Sequence, residues 1–157
     1  MRYLPETLTR RESDQFAFRI RSHFVEHGFG LWAVEIPGIA PFIGFVGLSV
    51  PKFDAHFTPC VEVGWRIAAA YWKKGYATEA AQVAVSYGFL QQELSEIVAM
   101  TVPENVASRR VMEKLGMAHD PTDDFDHPKL AEGHPLRRHV LYRLQKATWR
   151  LGSDGNR

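Results

Sequence analysis

The sequence predicts one α/β domain whose sheet is mixed and mostly antiparallel, with a central parallel pair. Val61 to Ile67 alternates: Val61, Val63, Trp65 and Ile67 point one way, and Glu62, Gly64 and Arg66 the other. A turn at Gly75 then opens an alanine-rich helix in which Ala77, Ala81, Ala84 and Gly88 form a stripe of small residues. Such a stripe lets a helix lie close to a sheet. Ile97 to Val102 is apolar on both faces, as a buried central strand requires. Strand, helix and strand in that order imply a parallel pair joined by a right-handed crossover.

The remaining elements follow from local signals. Thr9-Arg10-Arg11-Glu12 fits a capping box, and Phe16, Ile20 and Phe24 recur at helical spacing. This predicts a helix from Arg10 to His27 with Gly28 as its stop. Gly30 to Ile36 and Phe42 to Val50 read as a hairpin around Pro37-Gly38. Asn105 is a good cap for a helix over Val106 to Leu115, with Gly116 beyond it. Met117 to His119 starts a short strand, Asp120 to Pro135 is a polar loop, and Leu136 to Lys146 is the last strand. Residues 1–150 form the domain, and 151–157, ending in GSDGNR, a flexible tail.

Composition removes several classes of function. A net charge of +1 gives no reason to expect nucleic acid or an anionic membrane as partner. The single cysteine, Cys60, excludes an intrachain disulfide framework and suits a reducing compartment. No apolar run reaches the length of a membrane span, and the N-terminus lacks the apolar core of a secretion signal. A cytoplasmic protein is the expectation.

The chemistry concentrates at the strand-to-helix junction. Gly75, Ala77 and Thr78 stand at a helix N-terminus, whose free amides suit a phosphate, and Lys73 and Lys74 add positive charge. A tight turn with solvated lysines accounts for the same residues. The order matches neither the GxxxxGK[ST] loop nor GxGxxG.

Trp72-Lys73-Lys74-Gly75-Tyr76-Ala77 resembles the pyrophosphate loop of the GNAT superfamily of N-acetyltransferases. Tyr71 to Ala80 is similar to the branch that acetylates protein N-terminal amines, including those of ribosomal proteins, and its relatives acting on small amines. That branch usually has glycine where Lys73 stands. A second match, Asn105 to Met117, resembles the branch's N-x-x-S-x-x-x-x-x-K-L-G helix. A third is Asp124 to Pro128, followed by Arg138, His139 and Tyr142. Relatives usually carry a strand before the equivalent of Met1; either this protein dispenses with it or the true start lies upstream. The resulting open edge would favour strand exchange or a homodimer.

The resemblance implies that acetyl-CoA is the co-substrate and a primary amine the acceptor, at a protein N-terminus or on a small molecule. The pyrophosphate would lie on the amides of Lys74, Gly75, Tyr76, Ala77 and Thr78, beside Lys73. The pantetheine arm would pair as an extra strand along Trp65, Arg66 and Ile67, with an oxyanion-binding amide near Arg66 or Ile67. Asn105 would bond the pantetheine, and Ser108 would protonate the departing thiolate.

The reaction itself requires that an ammonium lose a proton before attack. Glu62 is the favoured base, on the face opposite Val61, Val63 and Trp65 and two residues from an expected bulge; an exposed strand glutamate is the competing account. His127 is the alternative base, since histidine titrates in the right range. Phe125, Tyr142 and Trp32 are candidates for the acceptor wall. No enzyme nucleophile is needed, so Cys60 has no required part. The histidines and aspartates around 119–139 match no zinc spacing, and a polar lid is the simpler account. Two rival functions stand beside the enzyme: a non-catalytic acyl-CoA-binding or interaction module, and a nucleotide-binding protein using the same phosphate cradle.

Overall fold

The computed structural model describes the backbone of residues 9–155 and the side chains of 9–150. The expectation about a first strand at Met1, and the last two residues of the tail, lie outside these. The elements are α1 (Arg10–His27), β1 (Leu31–Ile36), β2 (Ala40–Ser49), β3 (Glu62–Ile67), α2 (Tyr76–Leu90), β4 (Glu96–Thr101), α3 (Val106–Lys114), β5 (Ala118–His119), β6 (Phe125–Asp126), β7 (Arg138–Gln145) and α4 (Lys146–Gly155). The sheet runs β1-β2-β3-β4-β7-β5, with β6 added to β7, and only the β3–β4 pair is parallel.

Local chemistry sets the helix ends. Thr9 and Glu12 form the reciprocal capping box of α1, at 3.2 and 3.1 Å, and Gly28 ends that helix in the left-handed region. At the C-terminus α4 runs on through Gly155. The Lys146 amide donates to the Ser95 carbonyl, and the Trp149 ring packs 5.1 Å from that of Phe89, which anchors the helix.

Strand alternation divides the sheet into two faces. On one, Val46, Leu48, Val63, Ile67, Ile97, Ala99, Tyr142 and Leu144 pack beneath α2 and α3 in the main core. Ala81, Ala84, Val85, Gly88 and Phe89 are the buried side of α2. A Cβ at Gly88 would stand 2.9 Å from Ile97 Cδ1, so the small-residue stripe is what allows this close approach. On the other face a smaller cluster joins Phe57, Val98, Phe125 and Leu141, with Phe53, Cys60 and Met100 at its margin. We call this the open face. α1 reaches it through Phe16, which meets Phe45 edge to face at 5.9 Å.

No helix among the described residues is long and apolar enough to cross a membrane. Phe89 is fully buried in the main core. We predict that Phe89→Ala lowers unfolding stability by about 3–5 kcal/mol, read as a lower urea midpoint at unchanged slope.

Candidate active site

The site grows from one departure from regular pairing. β3 and β4 match at a single register point, Glu62 opposite Val98, fixed by the Val98 amide donating to the Val61 carbonyl at 2.9 Å. Beyond it the strands diverge, whereas β2 follows β3 without interruption from Ser49↔Glu62 to Gly44↔Ile67. The expected bulge on β3 is therefore absent. The register irregularity lies instead between Val34 and Ile36 on β1. Divergence of β3 from β4 does the work a bulge was expected to do.

Unbroken register also assigns each backbone group of β3 to a side. The Val61 carbonyl faces β4, and the Ala68 amide donates to the Ile43 carbonyl on β2. By alternation, the amides of Glu62, Gly64 and Arg66 turn toward β2 and those of Val63, Trp65 and Ile67 toward β4, where Val63 belongs to the register point and Trp65 and Ile67 face the gap. Of the two residues expected to supply an oxyanion-binding amide, Arg66 is thus turned away and Ile67 is turned in. The Ile67 carbonyl accepts from the Trp72 indole at 2.5 Å, which ties the following loop to the strand end.

That loop delivers the helix N-terminus. Gly75 is the cap of α2, with a φ of 83° and no side-chain cap bond. The amides of Tyr76, Ala77 and Thr78 therefore point out of the helix, and Glu79 is the first to bond back, to Gly75. Lys73 adopts a left-handed φ of 62°, which explains why glycine suits this position. Lys74 stands 5.9 Å over the Tyr71 ring.

α3 forms the opposite wall. The Asn105 side chain accepts from the Ser108 amide at 3.2 Å and donates to the Thr101 hydroxyl at 3.1 Å, so it caps α3 and ties it to β4. The Ser108 hydroxyl accepts from the Trp65 indole at 3.2 Å. This bond joins β3 to α3 across the gap and leaves the Ser108 O–H able to donate.

Glu62 lies on the open face, half-buried, and accepts from the Ser49 hydroxyl at 3.3 Å. Burial pushes its pKa from 4.5 up to about 7, against the smaller opposing effect of Ser49. Because the folded-state value is the higher, this group's contribution to stability is complete below pH 4.5 and lost as pH rises through about 7. Cys60 sits close by, where burial and the Glu62 charge push its thiol up to about 11. It is a poor nucleophile at neutral pH.

His127 shares the open face but not the Glu62 carboxyl. Its ring lies 4.5 Å from Phe53 and 5.1 Å from His139, and its Nδ1 accepts from the Lys129 amide. Burial and the His139 and Lys129 charges lower its pKa, so it is neutral at physiological pH. Of the proposed wall residues, Phe125 lies on this face, against Phe57. Trp32 and Tyr142 belong to the core under the helices: Trp32 packs on Tyr87, and the Tyr142 hydroxyl accepts from Arg109.

The acids and histidines of the 120–135 loop are engaged in pairs. Asp123 meets Arg143 at 2.9 Å and His56 at 3.2 Å, Asp124 meets His119 at 2.8 Å, and Asp120 caps Thr122. Among the described residues, no group of three or more could hold a metal ion. Sequence reasoning missed Ser49, Phe53 and Phe57 on the open face. Ser49 reaches Glu62 only through the β2–β3 register, which no local pattern encodes.

Comparisons with known proteins agree with this geometry. The family model described as an acetyltransferase (GNAT) domain matches residues 1–118. The chain belongs to the GNAT acetyltransferase family, which uses acetyl-CoA. It is 33% identical over 130 residues to FsC-acetyl coenzyme A-N(2)-transacetylase of Aspergillus fumigatus, covering 76% of this chain and 54% of that protein. It is 48% identical over 59 residues to the uncharacterized N-acetyltransferase YnaD of Bacillus subtilis, 38% of this chain and 35% of the relative. The chain thus spans about half or less of the curated relatives it matches. A GNAT-family acetyltransferase structure from Bacillus anthracis superposes with a TM-score of 0.72 at 28% identity, over 94% of this chain and 81% of that one. At 22% identity, RimJ of Mycobacterium smegmatis, solved with CoA-disulfide, shares the fold with a TM-score of 0.66 over 92% and 69% of the two chains.

The residues present fit such a cofactor. Uncapped amides at Tyr76, Ala77 and Thr78 offer donors to a pyrophosphate, and the gap-facing amides of β3 offer a strand edge to pantetheine. Lys73 tests the loop. Replacing it with glycine removes a left-handed side chain, and we predict a gain of about 1 kcal/mol. A thermal melt should show this as a Tm about 2–4 °C higher.

Proposed function

We propose that the protein transfers an acetyl group from acetyl-CoA to a primary amine by direct attack, with both substrates bound together. One observation carries the reading: Glu62, the sole register point of the parallel pair, is a carboxyl poised near neutrality on the face from which an acceptor can approach the gap. Cofactor clamp and base are held by the same strand, on opposite sides of it.

When bound, acetyl-CoA supplies an activated acetyl thioester. Glu62 removes a proton from the incoming ammonium, directly or through one water. A lysine amine, at about 10.4, needs this base more than an α-amine at about 8. The Trp65 and Ile67 amides stabilise negative charge on the carbonyl oxygen. Ser108, oriented by the Trp65 indole, returns a proton to the departing sulfur. The CoA thiolate is a good leaving group, so this last contribution is small. Cys60 takes no part, since a thiol raised to about 11 stays protonated. His127 is the second choice as base; its lowered pKa leaves it neutral, but its ring is packed among Phe53, Phe125 and His139.

Proteins that share this fold include a ribosomal-protein-S5-alanine acetyltransferase from Vibrio fischeri and a spermidine N-acetyltransferase from Vibrio cholerae. They bracket the acceptor classes from protein α-amines to small polyamines.

The test is Glu62→Gln. Wild-type kcat/KM should climb with pH up to about 7, as Glu62 ionises. The variant should lose about 10²–10⁴-fold and keep only the rise set by the acceptor amine. Acetyl-CoA affinity, followed by calorimetry, should stay within a few-fold. An undiminished rate in the variant would remove Glu62 from the mechanism. Acetyl-CoA binding with no turnover of any amine would favour a non-catalytic acyl-CoA-binding module.

A further inference from the structure

The open face carries a second charged feature, beyond Glu62 on the same strand. Glu62, Gly64 and Arg66 stand in a row on this face of β3. At the middle position a Cβ on Gly64 would meet no atom within 4 Å, so the surface between the two charged side chains is clear. Arg66 has no carboxylate partner among the described residues. Its guanidinium lies 5.8 Å over the ring of Phe16 on α1. Arg19, one helical turn along, places its own guanidinium 5.8 Å from the same ring, likewise without an ion pair among the described residues. The Arg66 side chain is exposed to solvent on this face, with its pKa lowered by partial burial.

The arrangement is uneven in charge. Arg143, another cation on this face, is engaged by Glu96 at 3.0 Å and Asp123 at 2.9 Å. Along α1 a groove is lined by Arg10, Arg11, Asp14, Gln15, Phe18 and Arg19, three arginines against one acid. Two guanidinium groups stand at one aromatic ring, and neither has an anionic partner among the described residues. Arginine is also the side chain that matches a carboxylate in two parallel hydrogen bonds. A polyamine would meet the opposite environment, since Glu62 is the one acid in this row.

We propose that Arg66, supported by Arg19 across Phe16, selects acceptors that carry a carboxylate as well as the reacting amine. The inference rests on the acetyl-transfer reading above and names its acceptor class. The amine is directed to the gap beside Trp65 and Ile67, and the carboxylate to Arg66 at the same end of β3. A free amino acid supplies such a pair, and so does a peptide with an acidic N-terminal residue.

Matched acceptors separate these sources. Free amino acids are compared with their carboxamides, and N-terminal Asp peptides with N-terminal Asn peptides of otherwise equal sequence and amidated C-terminus. The wild-type protein should favour the acid by about tenfold or more in kcat/KM in at least one of the two series, the scale of one charge-assisted pair. Arg66→Gln should shrink that ratio to within about threefold, mainly through KM. Arg19→Gln, on an exposed helix face, should shrink it partway. Because each ratio is taken within one protein, general loss of fold or of cofactor does not alter it. Equal rates on acid and amide by the wild type, or a ratio that survives both substitutions, would overturn this assignment while leaving acetyl transfer intact. Failure to acetylate any amine would overturn both.

Discussion

Everything that distinguishes this domain from a plain sheet depends on β3 and β4 touching once and then separating. Glu62 opposite Val98 is the whole of the parallel ladder. Regular pairing past that point would satisfy the amides of Trp65 and Ile67 internally, and no strand edge would remain to receive a ligand. The separation is held from three sides. β2 keeps β3 straight through six consecutive register pairs, β7 does the same for β4, and the Trp65 indole reaches across to Ser108. Gly44 is part of this restraint, because a Cβ there would stand 1.9 Å from the Arg66 carbonyl. Only glycine lets β2 and β3 run so close at the level where β3 has left β4.

Period-two alternation then assigns separate tasks to the two faces of one strand. The side chains of Val63 and Ile67 are buried in the core under α2 and α3, and that of Trp65 packs against its margin. Glu62, Gly64 and Arg66 face the other way. A carboxyl, a clear surface and a guanidinium along one short strand hold together the proposed proton transfer, approach and acceptor choice. The apolar cluster of Phe57, Val98, Phe125 and Leu141 gives Glu62 a poorly hydrated neighbour and helps raise its pKa. The loop over that cluster is pinned by Arg143, whose bonds to Asp123 and Glu96 tie it to the sheet. Acids and histidines that look in sequence like a metal site are, in the fold, fasteners.

Most of the fold was legible because its signals are local. The α1 capping box, the small-residue stripe of α2, the Asn105 cap and the alternation of β3 each sit within a few residues of chain. The turn that opens α2 was legible for the same reason, and Lys73 in a left-handed conformation accounts for the glycine usual at that place. What escaped depends on register between distant strands. The Ser49 bond to Glu62, the packing of Phe53 and Phe57 against Phe125, and the placement of Trp32 and Tyr142 on the core side all follow from pairings no local window contains. The bulge expected on β3 was a misreading of the same kind. The irregular spacing is on β1, and the opening arises from divergence instead.

The central claim is that the gap beside β3 is a slot for an extended cofactor arm. Amide hydrogen exchange resolved by residue, with and without acetyl-CoA, tests it most directly. The account predicts that acetyl-CoA slows exchange at Trp65 and Ile67, whose amides face the gap, and leaves Gly64 and Arg66, which face β2, nearly unchanged. Saturating acetyl-CoA that protects the α2 N-terminus but leaves Trp65 and Ile67 exchanging freely would contradict it.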